Sequence, residues 1–95
     1  MNKKVDLNFT IKNLDGKEIE SANENNLINA GKIIANNLVS TAKGDPLKHY
    51  DWAIKLNTGK PLDLDRADLE YLKRFITDHQ AISILIKAQV LEKLS

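Results

Sequence analysis

The segment of residues 44–61 constrains the fold most, because it marks both ends of a single helix. Asp45 is a favoured N-cap, and Pro46 suits the first helical position, where a backbone N–H is not needed. Gly59 can adopt the left-handed conformation that ends a helix, and a proline two residues later prevents its continuation. The apolar positions between these ends cover about two-thirds of the helix circumference at roughly 100° per residue; they are Leu47, Tyr50, Trp52, Ala53, Ile54 and Leu56. Such a helix needs neighbours on more than one side, so we expect it to be the central helix and Ile54 to face the core.

Length and composition predict one globular domain, residues 1–95. A chain of this size buries roughly 60–65% of its unfolded surface, and 42% hydrophobic content is well above the disordered range. The net charge of +1 gives no electrostatic footprint for a phosphate backbone, and the absence of cysteine excludes disulfides and thiolate metal sites. The sequence shows no signal peptide and no apolar run of the ~18 residues that a membrane helix needs. We therefore expect a soluble, cytoplasmic protein.

The N-terminal residues predict a β-hairpin over residues 4–20. Its first arm alternates apolar and polar residues with a period of two, and the apolar members are Val5, Leu7, Phe9 and Ile11. A two-residue loop would place Ile19 on the wrong face, whereas a three-residue loop with Gly16 in the left-handed conformation places Ile19 opposite Ile11. We expect the three-residue loop. A lone hairpin is marginal in water, so it must pack on the helices or gain strands from another chain.

The rest of the chain predicts four helices, which makes the expected fold α+β: an N-terminal β-hairpin packed on a mainly α domain. The expected helices are residues 24–42, 46–58, 66–77 and 80–94. Ser21 and Asn23 are both suitable N-caps for the first helix, and Asp65 is suitable for the third. Leu62–Leu64 can form a very short strand. Residues 81–86 alternate as a strand would, so periodicity leaves helix or strand open there, although the apolar continuation to residue 94 favours helix.

The residue types that carry chemistry occur, but not in a catalytic or metal-binding pattern. Asp63, Asp65, Asp68 and Glu70 resemble oxygen ligands for a hard cation. They lack the spacing and glycine of an EF-hand loop, and carboxylates at a helix start stabilise its free N–H groups without metal, so we expect caps. His49 and His79 lie thirty residues apart with no cysteine to complete a metal site. We expect His49 to pack on the apolar side of the central helix and His79 to lie at the surface.

No nucleophile elbow or glycine-rich phosphate loop is present, so the sequence predicts no enzyme, no cofactor and no small-molecule substrate. A protein-binding module that self-associates as a homo-oligomer is the preferred function, because the apolar residues of the central and last helices exceed what one small core needs. The candidate partner contacts are Trp52, Tyr50, Leu56, Ile84 and Leu91; for Trp52 the alternative is core packing. A small DNA-binding transcriptional regulator is the alternative function. Nucleic acid is disfavoured because a long connection separates the second and third helices, unlike a helix-turn-helix.

Three segments carry a resemblance to known proteins: GDPLKHYDWAIKL at residues 44–56, LDLD at 62–65 and KAQVLEKL at 87–94. Together they resemble small uncharacterised proteins encoded by phages and prophages. The resemblance covers most of residues 44–94 and contains no catalytic motif. It implies a viral accessory role, either in assembly of the particle or in binding a host protein. In that case the protein would be found in the host cytoplasm or associated with the virion.

Overall fold

The computed structural model describes residues 2–18 and 29–94 and has the predicted α+β class. The elements in chain order are β1 (Lys3–Val5), α1 (Ala30–Ser40), α2 (Pro46–Asn57), β2 (Leu62–Leu64), α3 (Arg66–Asp78) and α4 (Ile84–Leu94). The strands form a two-stranded antiparallel sheet, and the described ranges contain four helices. In those ranges no helix has both the length and the apolar content to cross a membrane.

The sheet joins two segments that are far apart in sequence. β1 pairs antiparallel with β2, with Lys3 opposite Leu64 and Val5 opposite Leu62. The side chains of Val5, Leu62 and Leu64 are buried, whereas Asp63 is exposed and lies opposite Lys4. Opposite charges in such a cross-strand position are mildly stabilising. The strand predicted at Leu62–Leu64 is therefore confirmed, and it pairs with the N-terminal strand, 57 residues away.

The predicted turn after the first strand is confirmed over the residues that are described. Gly16 has φ 85°, and the Asn13 N–H donates to the carbonyl oxygen of Lys17 at 2.8 Å. Lys12 forms a bridge with Glu18, which is the register expected of the three-residue loop. The Asn13 side chain supports the loop, because its Oδ1 accepts from the backbone N–H groups of Asp15 and Lys17. The second arm itself, including Ile19, lies outside the described residues.

Two of the four helices have the predicted caps at their starts. The Asp45 side chain accepts from the Lys48 N–H at 3.2 Å, so α2 begins at Pro46 as expected. Gly59 has φ 77° just beyond the end of α2. The Asp65 side chain accepts from the Asp68 N–H at 2.7 Å at the start of α3. These ends follow the sequence prediction because each depends on hydrogen bonds within one turn of chain.

The other two helices begin later than predicted. Asn29 has extended backbone angles, pairs with Thr10, and caps α1 by accepting from the Lys32 N–H. Helix α1 therefore begins at Ala30 rather than at residue 24; the predicted caps Ser21 and Asn23 lie outside the described residues. Helix α4 begins at Ile84 rather than at residue 80, because the chain turns immediately before it. The alternative left open for residues 81–86 is thus decided: the first part is a turn and the second is helix.

Helices α1 and α2 pack closely because Gly31 lies at their contact. A Cβ at this position would lie 3.1 Å from the carbonyl oxygens of both Leu56 and Leu7. The Gly31 N–H also donates to the Leu7 carbonyl at 2.9 Å, which ties the N-terminal segment to the helix. Gly31 is the second residue of α1, and the two backbones can approach this closely because glycine has no Cβ.

The packing of α2 corrects one expectation. The buried side of this helix consists of His49, Trp52, Ala53 and Leu56. Ile54 was expected in the core, but 48% of it is exposed. The helix is covered by its neighbours on one broad side only, so the second apolar stripe predicted from the sequence faces solvent.

Candidate protein-interaction surface

An exposed apolar face lies on α2 and the adjacent end of α1. It consists of Leu47, Tyr50 and Ile54 from α2 and Val39 from α1, whose exposed fractions are 81%, 62%, 48% and 54%. The three α2 residues are three and four positions apart, so they lie on one side of the helix, opposite the buried side. Large apolar side chains with this exposure in one contiguous patch are typical of interaction surfaces.

The exposed apolar face contains two hollows that a partner side chain can enter. One hollow of about 210 Å³ lies between the two helices and is lined by Ala35, Asn36, Val39, Tyr50, Ala53, Ile54 and Asn57. A second hollow of about 240 Å³ lies toward the loop between α1 and α2, where Pro46 and His49 contribute to the lining. Val39 and Tyr50 line both hollows and so stand between them. An aromatic residue flanked by two depressions is a favourable arrangement for a hot spot of binding.

A charged border follows the exposed apolar face along α2. Asp51 and Lys55 form an ion pair at 3.1 Å, and their side chains are 61% and 45% exposed. They are separated by one helical turn. Farther around the helix, Lys48 forms a second ion pair with Asp68 of α3 at 2.7 Å. The face therefore has α1 on one side and alternating charges on the other.

The structure separates the five predicted contact residues into different environments. Trp52 and Leu56 are only 6% and 2% exposed, so neither is available to a partner, and the core-packing alternative for Trp52 is correct. Tyr50 belongs to the exposed apolar face. Ile84 is 82% exposed but lies on α4, and Leu91 is partly buried against the core. Sequence reasoning missed Leu47, Ile54 and Val39; the spacing 47, 50, 54 marks a stripe, but it does not say which of two stripes faces inward.

A buried hydrogen-bonded centre lies beneath this region, around His49. The His49 Nδ1 lies 2.9 Å from the Leu38 carbonyl oxygen, and its Nε2 lies 2.7 Å from the Tyr71 hydroxyl. Because a carbonyl can only accept, Nδ1 carries a hydrogen and donates to Leu38; in the tautomer with its hydrogen on Nδ1 alone, Nε2 accepts the Tyr71 O–H. The Tyr71 oxygen accepts in turn from the Asp45 N–H at 3.3 Å. Both ring nitrogens are thus used in joining α1, α2 and α3, which gives His49 the structural role expected of it.

Gly44 allows this centre to form. Its φ is 115°, and a Cβ there would lie 2.6 Å from the His49 Nε2 and 2.8 Å from the Tyr71 hydroxyl oxygen. The loop between α1 and α2 therefore runs directly over the histidine–tyrosine hydrogen bond. A neighbouring hollow of about 450 Å³ has a size common for small-ligand pockets. However, the hydroxyl of Tyr71, which lines that hollow, already interacts with His49 and Asp45.

Lys48 connects the aromatic residues to α3. Its ammonium lies 5.6 Å from the Trp52 ring centre and 5.3 Å from that of Tyr71, both within range of a cation–π contact. The hydrogen bond to Asp68 raises the pKa of Lys48 above its ordinary value, with smaller contributions from the nearby carboxylates. Lys48 thus remains charged and holds α2 against α3 beside the exposed apolar face.

Two of the acidic residues that resembled cation ligands are used by the fold: Asp65 caps α3, and Asp68 binds Lys48. Asp63 lies opposite Lys4 in the sheet, and Glu70 lies 3.9 Å from Lys73. Within the part of the chain that the structure describes, no three histidine, aspartate or glutamate side chains are placed to share a metal ion. His79, expected at the surface, is partly buried at the end of α3 with its ring 5.0 Å from that of Phe75.

Comparisons of the chain with protein-family models, with curated proteins and with solved structures find no match. What the protein does must therefore be inferred from its own surface. Of the features described above, the exposed apolar face brings together four large apolar side chains that the fold leaves exposed.

Proposed function

We propose that this protein is a non-enzymatic protein-binding module that self-associates, and that the exposed apolar face is its binding surface. The observation that carries the proposal is the exposure of Leu47, Tyr50 and Ile54 on one side of α2. The helix is fixed at both ends by its caps and from behind by the His49 centre. The surface is therefore present before binding, which lowers the entropy lost when a partner binds.

The expected strength of association follows from the size of the face. Fully burying a large apolar side chain contributes about 1.5–3 kcal/mol, and each of these residues is already covered to roughly half or less. Two copies bring eight such side chains together, for a gain on the order of 10 kcal/mol. Lost translational and rotational freedom opposes this by about 4–15 kcal/mol. At the low end of that cost the net is about −6 kcal/mol, so association should be reversible, with a Kd of roughly tens of micromolar.

We further propose a viral accessory role, either in particle assembly or in binding a host protein. The resemblance of residues 44–56, 62–65 and 87–94 to small phage-encoded proteins supports this role. A face that binds its own copy can also bind another protein of similar apolar character, because burial of apolar surface is not directional. The partners we propose are thus a second copy and a phage or host protein.

The test of self-association is the mass in solution as a function of concentration. Size exclusion with light scattering from about 1 to about 100 µM should show a mass that rises above the monomer value of 10.7 kDa. The variant with Tyr50→Ser and Ile54→Ser should stay near the monomer mass. Leu14→Ser is the matched control, because Leu14 is 95% exposed but lies in the turn after the first strand.

Two outcomes would contradict the proposal. A wild-type mass that stays at 10.7 kDa over the whole range would refute self-association. Loss of association in Ile84→Ser but not in the α2 variant would move the binding surface to α4, where Ile84 is 82% exposed. Circular dichroism of each variant confirms that the loss of mass is not a loss of folding.

A further inference from the structure

The charged border of the exposed apolar face restricts the orientation in which a second copy can bind. Asp51 and Lys55 lie next to the apolar stripe, on the side of α2 away from α1, and both are well exposed. They are one turn apart, or about 6 Å along the helix axis. Reading along α2, the border thus has a negative charge followed by a positive one.

A two-fold axis acts on this border in one of two ways. If the helices of the two copies run parallel, the two-fold axis lies along them, so the two borders fall on opposite sides of the contact and do not meet. If they run antiparallel about an axis perpendicular to the helices, the order of charges is reversed in the second copy. Each Asp51 then lies beside the second copy's Lys55, twice in one interface, so the border is complementary to itself only in this orientation.

We infer that two copies bind through the exposed apolar face with their α2 helices antiparallel, about a two-fold axis near the level of residue 53. This inference rests on the proposed function, because it specifies the partner and the geometry of the same surface. At this level, Tyr50 of one copy lies within about 3 Å, along the helix axis, of the second copy's Ile54. The apolar centre and the charged border therefore agree on one register.

The register also explains which side chains form the centre of the contact. The Tyr50 and Ile54 side chains of both copies lie near the axis, whereas Leu47 lies toward the ends of the helix pair. Val39 lies beside Tyr50 across the hollow between α1 and α2. Tyr50 is thus enclosed by apolar groups of both copies, and the ion pairs lie at the rim, where they determine orientation more than affinity.

The test uses two charge variants, Asp51→Lys and Lys55→Asp, measured separately and mixed. Each variant alone places like charges at both rim contacts of the antiparallel pair, so its homodimer should weaken by roughly tenfold or more in Kd. In an equal mixture, Lys at position 51 of one variant meets Asp at position 55 of the other. At the second contact, the unchanged Lys55 of the first variant meets the unchanged Asp51 of the other. The mixture should therefore associate nearly as strongly as the wild type.

A matched control comes from an ion pair on another helix. Glu70 and Lys73 on α3 lie 3.9 Å apart, and the variant Glu70→Lys removes that pair without touching the exposed apolar face. It should associate as the wild type does. Sedimentation velocity of the single variants and the mixture, with circular dichroism to confirm folding, gives the comparison.

The outcomes separate this inference from the proposed function. If the wild type associates but the mixture is no stronger than the single variants, the antiparallel register is overturned and self-association stands. If the mixture recovers while both variants are weak alone, the register is supported. A wild-type protein that stays monomeric overturns both the self-association and the register.

Discussion

Removing one hydroxyl group by Tyr71→Phe tests the buried centre that fixes α2 and the loop before it. The substitution keeps the ring, so the edge contacts with Trp52 and His49 and the cation–π contact with Lys48 remain. It removes the hydrogen bond to the His49 Nε2 at 2.7 Å and the bond from the Asp45 N–H at 3.3 Å. Because His49 is only 4% exposed, its Nε2 is left as a buried acceptor without a partner.

The expected loss is about 1–3 kcal/mol in the free energy of unfolding, since a buried polar group left unsatisfied costs its desolvation penalty. For a domain of this size, each kcal/mol lowers the Tm by roughly 4–8 °C. Urea denaturation followed by circular dichroism measures the change. Tyr50→Phe is the matched control, because it deletes the same hydroxyl from a residue that is 62% exposed, and should change stability by less than about 0.5 kcal/mol.

The reasoning would be refuted if both phenylalanine variants had the same midpoint and slope in urea as the wild type. In that case the buried hydroxyl of Tyr71 would stabilise the fold no more than the exposed hydroxyl of Tyr50 does. A change in slope alone would instead report a change in the surface exposed on unfolding, not the loss of this hydrogen bond.

Three further predictions follow from the burial of particular residues. Ile54→Ala should cost less than about 1 kcal/mol in urea melts because Ile54 is 48% exposed, whereas Leu56→Ala, at a buried position, should cost about 2–5 kcal/mol; equal losses would contradict the orientation of α2. Gly44→Ala should destabilise more than Gly16→Ala, since both have positive φ but only the Cβ at residue 44 would collide with His49, and a reversed order in thermal melts would argue against that loop position. Adding Ca²⁺ or Mg²⁺ should leave the Tm unchanged, because the aspartates at the start of α3 act as caps; a concentration-dependent rise would indicate a metal site.

Features that depend on a few neighbouring residues could be predicted from the sequence. Asp45 and Asp65 cap their helices, Gly59 takes a positive φ after α2, and Gly16 closes the turn whose register was expected. In each case one side chain or one positive φ satisfies backbone groups within a single turn, so no distant residue has to be known. The helix start at Asn29 shows the limit of this rule. Its cap hydrogen bond is local, but its extended backbone is paired with Thr10, nineteen residues earlier.

The tertiary structure alone decided how the apolar residues are divided between core and surface. Helix α2 carries two apolar stripes, one with Trp52 and Leu56 and one with Tyr50 and Ile54, and either satisfies helical periodicity. Which stripe is buried depends on α1, whose Gly31 approaches the Leu56 carbonyl, and on Tyr71 of α3, which binds His49. The pairing of β1 with β2 was also decided by the tertiary structure. Strands pair through backbone hydrogen bonds, so the sequence of a strand does not reveal which segment it pairs with. The candidate surface therefore could not be located from the sequence, because it is the side of α2 that these long-range contacts leave uncovered.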